Sequence, residues 1–383
     1  MYKAQTWLSF NFFAFFFSWG VFLPYWTAWL ISSKGVTIES ASAIIAAGLF
    51  IRSFSTVFIF PTLSMKLSIG SLTKLFPILS TLLLFLFIPL SSFHTIMAAM
   101  ILFSLIYPLI LPLTESIGTM MMQSERIQYG KSRSWGSIGY AAALVAVGAV
   151  TAYFGDTAIV YVMIFGCALM LGAAFYFTPA SLKKRSERHS VPFRSLFQSK
   201  RFVIAMIVSI CIQGAHASYY SYGFIYLQDL GVSNTWGGII LNIAVVSEIL
   251  FFSIADRLLK RSRISSMFLA SAAASVIRWT LLFLFPNVAV YAASQTLHAM
   301  TFALAHFAFI RLLYEEFDGY EIPAAQGLYA SLSMGLGSSL LTIAGGYLYK
   351  EEPGLAFLGM TFALIPAIVL TFYLKKKFEA PVL

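Results

Sequence analysis

The stretch YGKSRSWGSIGY, covering Tyr129–Tyr140, stands out in a chain that is otherwise dominated by apolar segments. It carries Arg133 close to the small residues Gly136 and Gly139, and a carboxylate, Glu115, lies upstream in the run ILPLTESIG. Charged side chains are costly inside a bilayer, so those found there commonly mark a pathway for substrate or ions. We therefore take this stretch, together with Glu115, as the centre of function in a membrane protein.

The composition is that of a protein with many membrane spans. Of the 383 residues, 59% are hydrophobic and 10% are charged, whereas about 25% of the residues in soluble domains are charged. The net charge of +10 would indicate nucleic-acid binding only if the basic residues shared one soluble face, and here they are spread among short loops. Cys167 and Cys211 both lie inside apolar segments, which argues against a disulfide framework or a metal site.

Runs of about 20 apolar residues can cross a bilayer as helices, and the sequence contains twelve of them. The first run is too long for the apolar core of a signal peptide, so we interpret it as a spanning helix. Almost no residues remain for a soluble domain, and the predicted fold class is an all-α membrane protein with twelve transmembrane helices. The predicted runs cover residues 5–31, 38–64, 72–91, 94–122, 133–155, 157–178, 201–228, 234–260, 264–285, 288–314, 322–349 and 353–374.

The distribution of lysine and arginine predicts the orientation of these helices. Of the 25 basic residues, twenty fall in loops on the side of the two termini, and only Lys34 and Lys350 fall in loops on the opposite side. Retained positive charge marks the cytoplasmic side of a membrane protein. We therefore expect both termini in the cytoplasm, and a multi-pass location in the bacterial inner membrane.

The longest loop is basic and divides the twelve runs into two sets of six. We expect an N-terminal six-helix bundle over residues 1–178, a cytoplasmic basic linker over residues 179–200, and a C-terminal six-helix bundle over residues 201–383. The positive charge of the linker is typical of an anchor at the cytoplasmic surface. Binding of anionic lipid or of a partner helix is the alternative.

Five charged residues fall well inside the predicted spans and need an explanation. They cannot be solvated by lipid, so each must pair with another group or face a polar cavity. A pair between Glu115 and Arg133 would either couple proton binding to transport or act only as a static ion pair between two helices. The five residues are Arg52, Glu115, Arg133, Glu248 and Arg278.

The order of these motifs resembles the lactose permease-like branch of the major facilitator superfamily. That pattern has a glutamate late in the fourth span, a short basic loop, an arginine that opens the fifth span, and then W-G-S-I-G and an aromatic residue. The R-x-W-G-S run and the run Q-G-A-H-A-x-Y-Y, here Gln213–Tyr220, resemble bacterial 3-phenylpropionic acid transporters in particular. The resemblance implies the major facilitator fold of two six-helix bundles, with a substrate site between them near the middle of the membrane.

The resemblance also implies roles for several of these residues. Glu115 and Arg133 match a pair that faces the substrate, and Tyr140 matches an aromatic residue that stacks on a substrate ring, although a tyrosine that only packs between helices is equally compatible with the sequence. Glu248, Arg278 and His298 match the proton-handling network of the permease.

The sequence departs from the permease at two positions. Thr301 stands where the permease has a further carboxylate, so the proton must bind to Glu248, to Glu115 or to His298, and we favour Glu248 paired with Arg278. Phe251 stands where the permease has a sugar-binding asparagine, and this weakens the expectation of a galactoside.

Arg52 and one face of the seventh span complete the expected substrate site. An intramembrane arginine can hold a carboxylate through a bidentate contact, and three arginines against two glutamates suit an anionic substrate; Arg52 bonded to carbonyl groups or extended toward the interface is the alternative. Gln213, His216 and Tyr219 recur at helical spacing near one face, so we expect them to line the cavity. A hydrogen bond between helices is the other explanation for His216.

The first span contains the aromatic run FNFFAFFFSWG, residues 10–20. We expect these rings to face lipid or to fill space between helices. Trp26 and Trp29, near the other end of the same span, are expected in the aromatic belt at the membrane interface.

These observations predict a secondary active transporter that takes up a small organic solute with a proton. The resemblance implies an aromatic carboxylate such as 3-phenylpropionate; the alternatives are a sugar or nucleoside symporter, or a membrane sensor that does not transport. No nucleophile with a base, no H-E-x-x-H motif, no phosphate loop and no metal-ligand spacing occurs. We therefore expect no catalytic residues, no metal and no cofactor, and a monomer whose partners are the solute, the proton and the lipid bilayer, not nucleic acid.

Overall fold

The computed structural model describes residues 2–125, 127–176, 182, 193–318 and 321–379. In this part of the chain, twelve helices are long and apolar enough to cross a membrane, and each overlaps one predicted run. The predicted fold class is confirmed, and the regular structure of the described residues is entirely helical. The spans are α1 (Lys3–Lys34), α2 (Ile38–Lys66), α3 (Ile69–Leu86), α4 (Phe93–Gly118), α5 (Tyr129–Phe154), α6 (Asp156–Tyr176), α7 (Lys200–Asp229), α8 (Asn234–Ala255), α9 (Ile264–Leu284), α10 (Val288–Glu316), α11 (Ala324–Glu351) and α12 (Pro353–Phe378).

Several helices begin at a polar residue that caps the first turn. Thr37, Ser68 and Ser92 each accept a hydrogen bond from the backbone N–H three residues later, at the start of α2, α3 and α4. Such caps satisfy backbone donors that the helix itself leaves without an acceptor. Polar caps therefore set the first turns of these long apolar segments, whose backbone groups must otherwise be satisfied inside the helix.

The chain forms two compact units. Unit 1 contains Met1–His189 and Ser233–Ile239, and unit 2 contains Ser190–Val232 and Ile240–Leu383. Most of the predicted linker, residues 179–200, lies outside the described residues, so the predicted domain boundaries and the orientation of the termini stay predictions. The basic loop residues outside the description are Arg126, Lys183, Lys184, Arg185 and Arg188.

In unit 1, α1 and α5 cross at very short range through glycines. A methyl group on Gly139 would overlap the backbone carbonyl of Phe13, and one on Gly20 would lie 2.9 Å from the carbonyl oxygen of Tyr140. Small residues let two helix backbones approach closely, which is a main source of helix association in membranes. The glycines of the Tyr129–Tyr140 stretch therefore hold α5 against α1.

Several of the long helices are irregular near their middle, among them α2, α4 and α10. In α4 a 3₁₀ turn at Tyr107–Leu109 contains Pro108, in agreement with the kink that this proline predicts. In α2 a π-helical turn covers Ser55–Ile59, and in α10 another covers Ala299–Ala303. Such turns occur often at functional sites, and those in α2 and α10 begin close after the charged or polar residues Arg52 and His298.

The prediction for the aromatic residues of α1 is wrong at its far end. Trp26 and Trp29 are buried, with 0% and 2% of their surface exposed, and their rings stack with centroids 4.4 Å apart. Phe87 packs edge-on against both rings. These tryptophans belong to the core of unit 1 and not to an interfacial belt.

The α1–α5 crossing can be tested with a matched pair of glycine variants. Gly139→Ala should lower the stability of the protein by about 1–3 kcal/mol, the usual cost of overpacking, because the added methyl group meets the backbone of Phe13. At Gly172 on α6 nothing lies within 4 Å of such a methyl group, so Gly172→Ala should be neutral or slightly stabilising. Thermal unfolding of the detergent-solubilised protein measures both, and equal melting temperatures would contradict the close crossing.

Candidate functional site

Glu115 and Arg133 form an ion pair in unit 1. Nε of Arg133 donates to Oε1 of Glu115 at 3.1 Å, and both side chains are about one-third exposed. Tyr129 donates its hydroxyl to the other carboxylate oxygen. Tyr129 and Arg133 are four residues apart, and such residues lie on the same face of a helix, so α5 presents both donors to one carboxylate on α4. The sequence analysis predicted the pair but missed Tyr129.

The guanidinium group of Arg133 also lies against aromatic rings of α1. It is 4.3 Å from the ring centre of Phe16 and 5.7 Å from that of Phe12. Contacts of a cation with the face of an aromatic ring are favourable and grow stronger when water is excluded. The aromatic run of α1 therefore has a polar partner, which the expectation of lipid-facing bulk did not foresee.

A second arginine uses the same helix. The guanidinium group of Arg52, on α2, lies 4.7 Å from the ring centre of Trp19. The ring of Tyr107 also stacks with Trp19, with centroids 6.1 Å apart. Among the residues that the structure describes, the Arg52 guanidinium has no hydrogen bond or ion pair.

We name Phe12, Phe16 and Trp19 the aromatic stripe. Their spacing of four and three residues places them on one face of α1. This spacing is visible in the sequence and could have revealed the aromatic stripe. The sequence analysis did not connect it with Arg52 and Arg133. Two guanidinium groups thus lie on one face of one helix.

Tyr140 lies seven residues, or about two turns, after Arg133 on α5. Its side chain is half-buried, and its backbone carbonyl lies at the crossing with α1 described above. The stacking role that the resemblance implies for Tyr140 stays a prediction.

In unit 2, Arg278 on α9 is completely buried and donates to three groups on α10. Nη1 lies 3.1 Å from Nδ1 of His298 and 3.2 Å from Oγ1 of Thr301. Nη2 donates to Oε1 of Gln295 at 3.2 Å. Those three acceptors, spaced three residues apart along α10, are uncharged side chains or a histidine ring.

Two aromatic rings also lie close to the same guanidinium group. It lies 4.7 Å from the ring centre of Tyr219 and 4.6 Å from that of Trp279. Tyr219 was expected in the substrate site, and the structure places it against Arg278 from α7. The roles of Gln295 and Trp279 were missed, because neither the spacing nor the resemblance singled them out.

Glu248 on α8 reaches this cluster through a histidine. Its Oε2 lies 3.7 Å from Nε2 of His298, whose other ring nitrogen faces Arg278. The expected partnership of Glu248 with Arg278 is thus mediated by the imidazole ring between them.

His216 and Gln213 lie beside a break in α7. The helix runs over Lys200–Gly214 and again over Ala217–Asp229. His216 is fully buried, with Nδ1 at 3.0 Å from the carbonyl oxygen of Ile212 and Nε2 at 3.0 Å from Oγ1 of Thr301. The hydrogen bonds of His216 therefore link α7 to α10.

Gln213 bonds to the backbone of α10. Its Nε2 donates to the carbonyl oxygen of Phe302 at 3.3 Å and to the hydroxyl oxygen of Tyr329 at 3.0 Å. Nδ1 of His306 also contacts that hydroxyl group, at 3.1 Å. Within the described residues, no group of three or more His, Cys, Asp or Glu side chains could hold a metal ion.

The described helices and the buried charges fit a known group of membrane proteins. The model of the MFS_1 like family matches residues 5–359. The chain belongs to this family. As the resemblance predicted, it is a major facilitator and a multi-pass membrane protein of the transporter type.

Relatives of this major facilitator include named transporters. A probable 3-phenylpropionic acid transporter of Escherichia coli (strain K12) is 29% identical over 374 residues, which cover 96% of this chain and 97% of the relative. A maltose permease of Geobacillus stearothermophilus is 27% identical over 298 residues, which cover 75% of this chain and 73% of the relative.

A solved structure supports the fold of this major facilitator. The crystal structure of the nucleoside transporter NupG matches with a TM-score of 0.82 at 18% identity, covering 98% of this chain and 99% of that one. At this level of identity the likeness concerns the fold alone.

The role of Arg278 in stabilising unit 2 can be measured directly. Arg278→Ala would take the donor away from three buried acceptors on α10, and each buried group left unsatisfied costs about 1–3 kcal/mol. We therefore expect a marked drop in the thermal unfolding temperature in detergent. Arg278→Lys should recover only part of it, because an ammonium group lacks the planar fork of donors.

Arg261→Ala is the matched control for that experiment, because Arg261 is exposed between α8 and α9 and should be replaceable without loss. Equal melting temperatures for Arg278→Ala and Arg261→Ala would contradict the hydrogen-bond network.

Proposed function

We propose that this major facilitator takes up a small aromatic carboxylate, such as 3-phenylpropionate, together with a proton across the bacterial inner membrane. The name of the 29% identical relative, which aligns with 96% of this chain, supports the substrate class. A proton neutralises a carboxylate of the carrier, the solute binds, the loaded carrier opens to the cytoplasm, and both are released. No catalytic step is part of this cycle.

The observation that carries the proposal is the surplus of positive charge inside the spans. Arg133 has a carboxylate partner in Glu115. The hydrogen bonds of Arg278 go to Gln295, Thr301 and the ring of His298.

Arg52 is the arginine that remains open to a substrate. Its guanidinium face is covered by Trp19, while its N–H groups have no acceptor among the described residues. A guanidinium group held by one face keeps its edge available for a bidentate contact with a carboxylate.

The ring of the substrate has suitable neighbours next to that edge. Trp19 stacks with Phe15 and Tyr107, and aromatic pairs contribute about 0.5–1.5 kcal/mol beyond the area that they bury. We propose that Arg52 binds the carboxylate and that the aromatic stripe with Tyr107 contacts the ring. Arg133, Tyr140, Gln213, His216 and Tyr219 remain the other candidate substrate-binding residues.

Uptake against a gradient requires a carboxylate that binds and releases the proton. Both carboxylate oxygens of Glu115 accept hydrogen bonds from α5, and a carboxylate oxygen of Glu248 lies 3.7 Å from His298. Glu248, His298 and Arg278 match the proton-handling network that the resemblance implies. We therefore assign proton coupling to these three residues, and we keep Glu115 as the second candidate.

Purified protein in liposomes provides the direct test. When the outside of the liposomes is more acidic than the inside, labelled 3-phenylpropionate should accumulate inside by about tenfold per pH unit for each proton carried. Glu248→Gln should abolish this accumulation while leaving exchange of labelled for unlabelled solute, because glutamine imitates the protonated carboxylate but cannot release a proton. Glu115→Gln tests the second candidate. Accumulation by both variants would refute this coupling scheme, and no uptake by the unmodified protein would refute the substrate.

The role of Arg52 can be separated from coupling by measuring binding alone. Arg52→Gln should weaken the binding of 3-phenylpropionate by about 10- to 100-fold, because a hydrogen bond to a charged group contributes roughly 1.5–3 kcal/mol. The corresponding amide, 3-phenylpropionamide, should bind to both proteins with similar weak affinity. Lys131→Gln, a change of an exposed lysine on α5, is the control, and an unchanged affinity in Arg52→Gln would exclude this residue from the site.

A sugar is the second candidate substrate. The contact between Glu115 and Arg133 is the pair that the resemblance associates with sugar binding, and one relative is named a maltose permease. Uptake of labelled maltose and of labelled 3-phenylpropionate into the same liposomes distinguishes the two, since a sugar carrier would accumulate the disaccharide and ignore the aromatic acid.

A further inference from the structure

The polar side chains of unit 2 form one continuous chain of contacts. It begins at the carboxylate of Glu248, passes through His298, Arg278 and Thr301, and ends at His216 and the carbonyl group of Ile212. The successive distances are 3.7, 3.1, 3.2, 3.0 and 3.0 Å. Because arginine has only donors and a carbonyl group has only acceptors, the two fixed groups decide how protons are arranged between them.

The arginine determines the protonation of His298. Nη1 of Arg278 can only donate, so Nδ1 of His298 must accept and cannot carry a hydrogen atom while the contact of 3.1 Å is present. The single ring proton of His298 is therefore on Nε2, the nitrogen that faces Glu248. A second proton on this ring would make Nδ1 a donor, and two donors, Nδ1 and Nη1 of Arg278, would then face each other.

The carbonyl group determines the protonation of His216. The carbonyl oxygen of Ile212 can only accept, so Nδ1 of His216 donates to it. Nε2 then accepts from the hydroxyl group of Thr301, whose oxygen accepts in turn from Arg278. A proton on Nε2 would instead place a second cation one hydroxyl group away from Arg278, in a site where all three side chains are nearly fully buried.

Thr301 is the residue that makes both arrangements compatible. A hydroxyl group has one donor and two acceptor positions, so it receives a hydrogen bond from Arg278 and passes its own to His216. The carboxylate that the resemblance leads one to expect at this position would accept hydrogen bonds from both Arg278 and His216 and would permit a proton on His216.

The titratable or charged groups near His298 come from three helices. They are His216, Tyr219 and Tyr220 from α7, Glu248 from α8 and Arg278 from α9.

We propose that Arg278 and Thr301 hold His298 and His216 neutral in opposite tautomers, so that within unit 2 the transported proton binds to Glu248 and not to a histidine. Thr301 and Arg278 act as positioning residues in this scheme. The proton comes from water to a carboxylate oxygen of Glu248 and returns to water from it, while N–H of His298 stays directed at that carboxylate. The inference about the transported proton rests on the proposed function; the tautomers do not.

Nitrogen NMR of histidine-labelled protein in micelles tests the tautomers without any transport. Between about pH 5 and 8, where a free histidine changes its charge, His298 should keep hydrogen on Nε2 only and His216 on Nδ1 only. Difference spectra against His298→Gln and His216→Gln, or the asparagine variants where these do not fold, assign the two signals. A doubly protonated His298, or hydrogen on its Nδ1, would overturn the proposal.

Thr301→Val supplies a variant that changes the network with little change in volume. Without the hydroxyl group, Nε2 of His216 loses its hydrogen-bond donor, so the signal of this nitrogen should shift to that of an imidazole nitrogen without a hydrogen bond, while the ring stays neutral beside Arg278. Thr371→Val on α12 is the matched control, since the Thr371 hydroxyl donates to the Ala367 carbonyl of its own helix and its loss should leave both histidine signals unchanged. An unchanged Nε2 signal of His216 in Thr301→Val would contradict the role given to Thr301.

Transport in liposomes then tests which group binds the proton. His298→Gln and His298→Asn cannot titrate but retain an amide that can accept from Arg278 or donate toward Glu248. They should transport more slowly, yet still accumulate solute by about tenfold per pH unit for each proton, whereas Glu248→Gln should fall to about onefold.

Loss of accumulation with retained exchange in both His298 variants would place the proton on His298 and overturn the inference. Failure of the unmodified protein to accumulate any solute would instead refute the proposed function, and the tautomers would still be decided by NMR.

Discussion

A guanidinium group cannot be left unsolvated inside a bundle of membrane helices, and this constraint organises the polar residues of both units. Arg278 is fully buried, and its neighbours supply hydrogen-bond acceptors and the rings of Tyr219 and Trp279. Solvation by water is replaced by hydrogen bonds to Gln295, Thr301 and His298 and by ring contacts that stabilise a cation without adding an opposite charge. The arginine is therefore held by uncharged acceptors and aromatic rings, and the carboxylate of Glu248 lies 3.7 Å from His298, on the other side of that ring from Arg278.

Aromatic rings also lie against the arginines of unit 1, but the two arginines differ in their charged partners. Arg133 has a carboxylate partner as well as two rings of the aromatic stripe, whereas Arg52 has the ring of Trp19. A ring covers only one face of a guanidinium group and leaves its N–H edge uncovered. Arg133 and Arg52 thus lie against the same face of α1, but only Arg133 has a carboxylate partner among the described residues.

The twelve spans could be predicted because the length and apolar character of a segment are local properties of the sequence. The Glu115–Arg133 pair was predicted only through a resemblance, since spacing does not show which helices touch. Tyr129 was missed for this reason, although it lies one turn before Arg133. Trp26 and Trp29 were placed wrongly because a segment that is apolar on all sides does not reveal which face is turned into the bundle.

Thr301 shows a further limit of prediction from sequence. The sequence showed only that a threonine replaces the expected carboxylate, whereas the hydrogen bonds of Thr301 depend on His216 from α7 and Arg278 from α9. A residue type alone predicts what a side chain can donate or accept; the helices that pack around it decide which of these it does.

The π-helical turn of α10 explains why so many polar groups gather at this place. A wide turn leaves backbone carbonyl groups without their usual partners in the helix, and in a membrane protein these must be satisfied by neighbouring side chains. The hydroxyl group of Ser271 donates to the carbonyl oxygen of Thr301 at 2.9 Å, and Gln213 donates to that of Phe302 at 3.3 Å. Gln213 therefore has a sufficient reason to be in the bundle without a substrate: with Ser271, it fastens the irregular turn to α7 and α9. This π-helical turn also sets the positions of His298 and Thr301. The backbone irregularity and the hydrogen bonds around Arg278 therefore depend on each other.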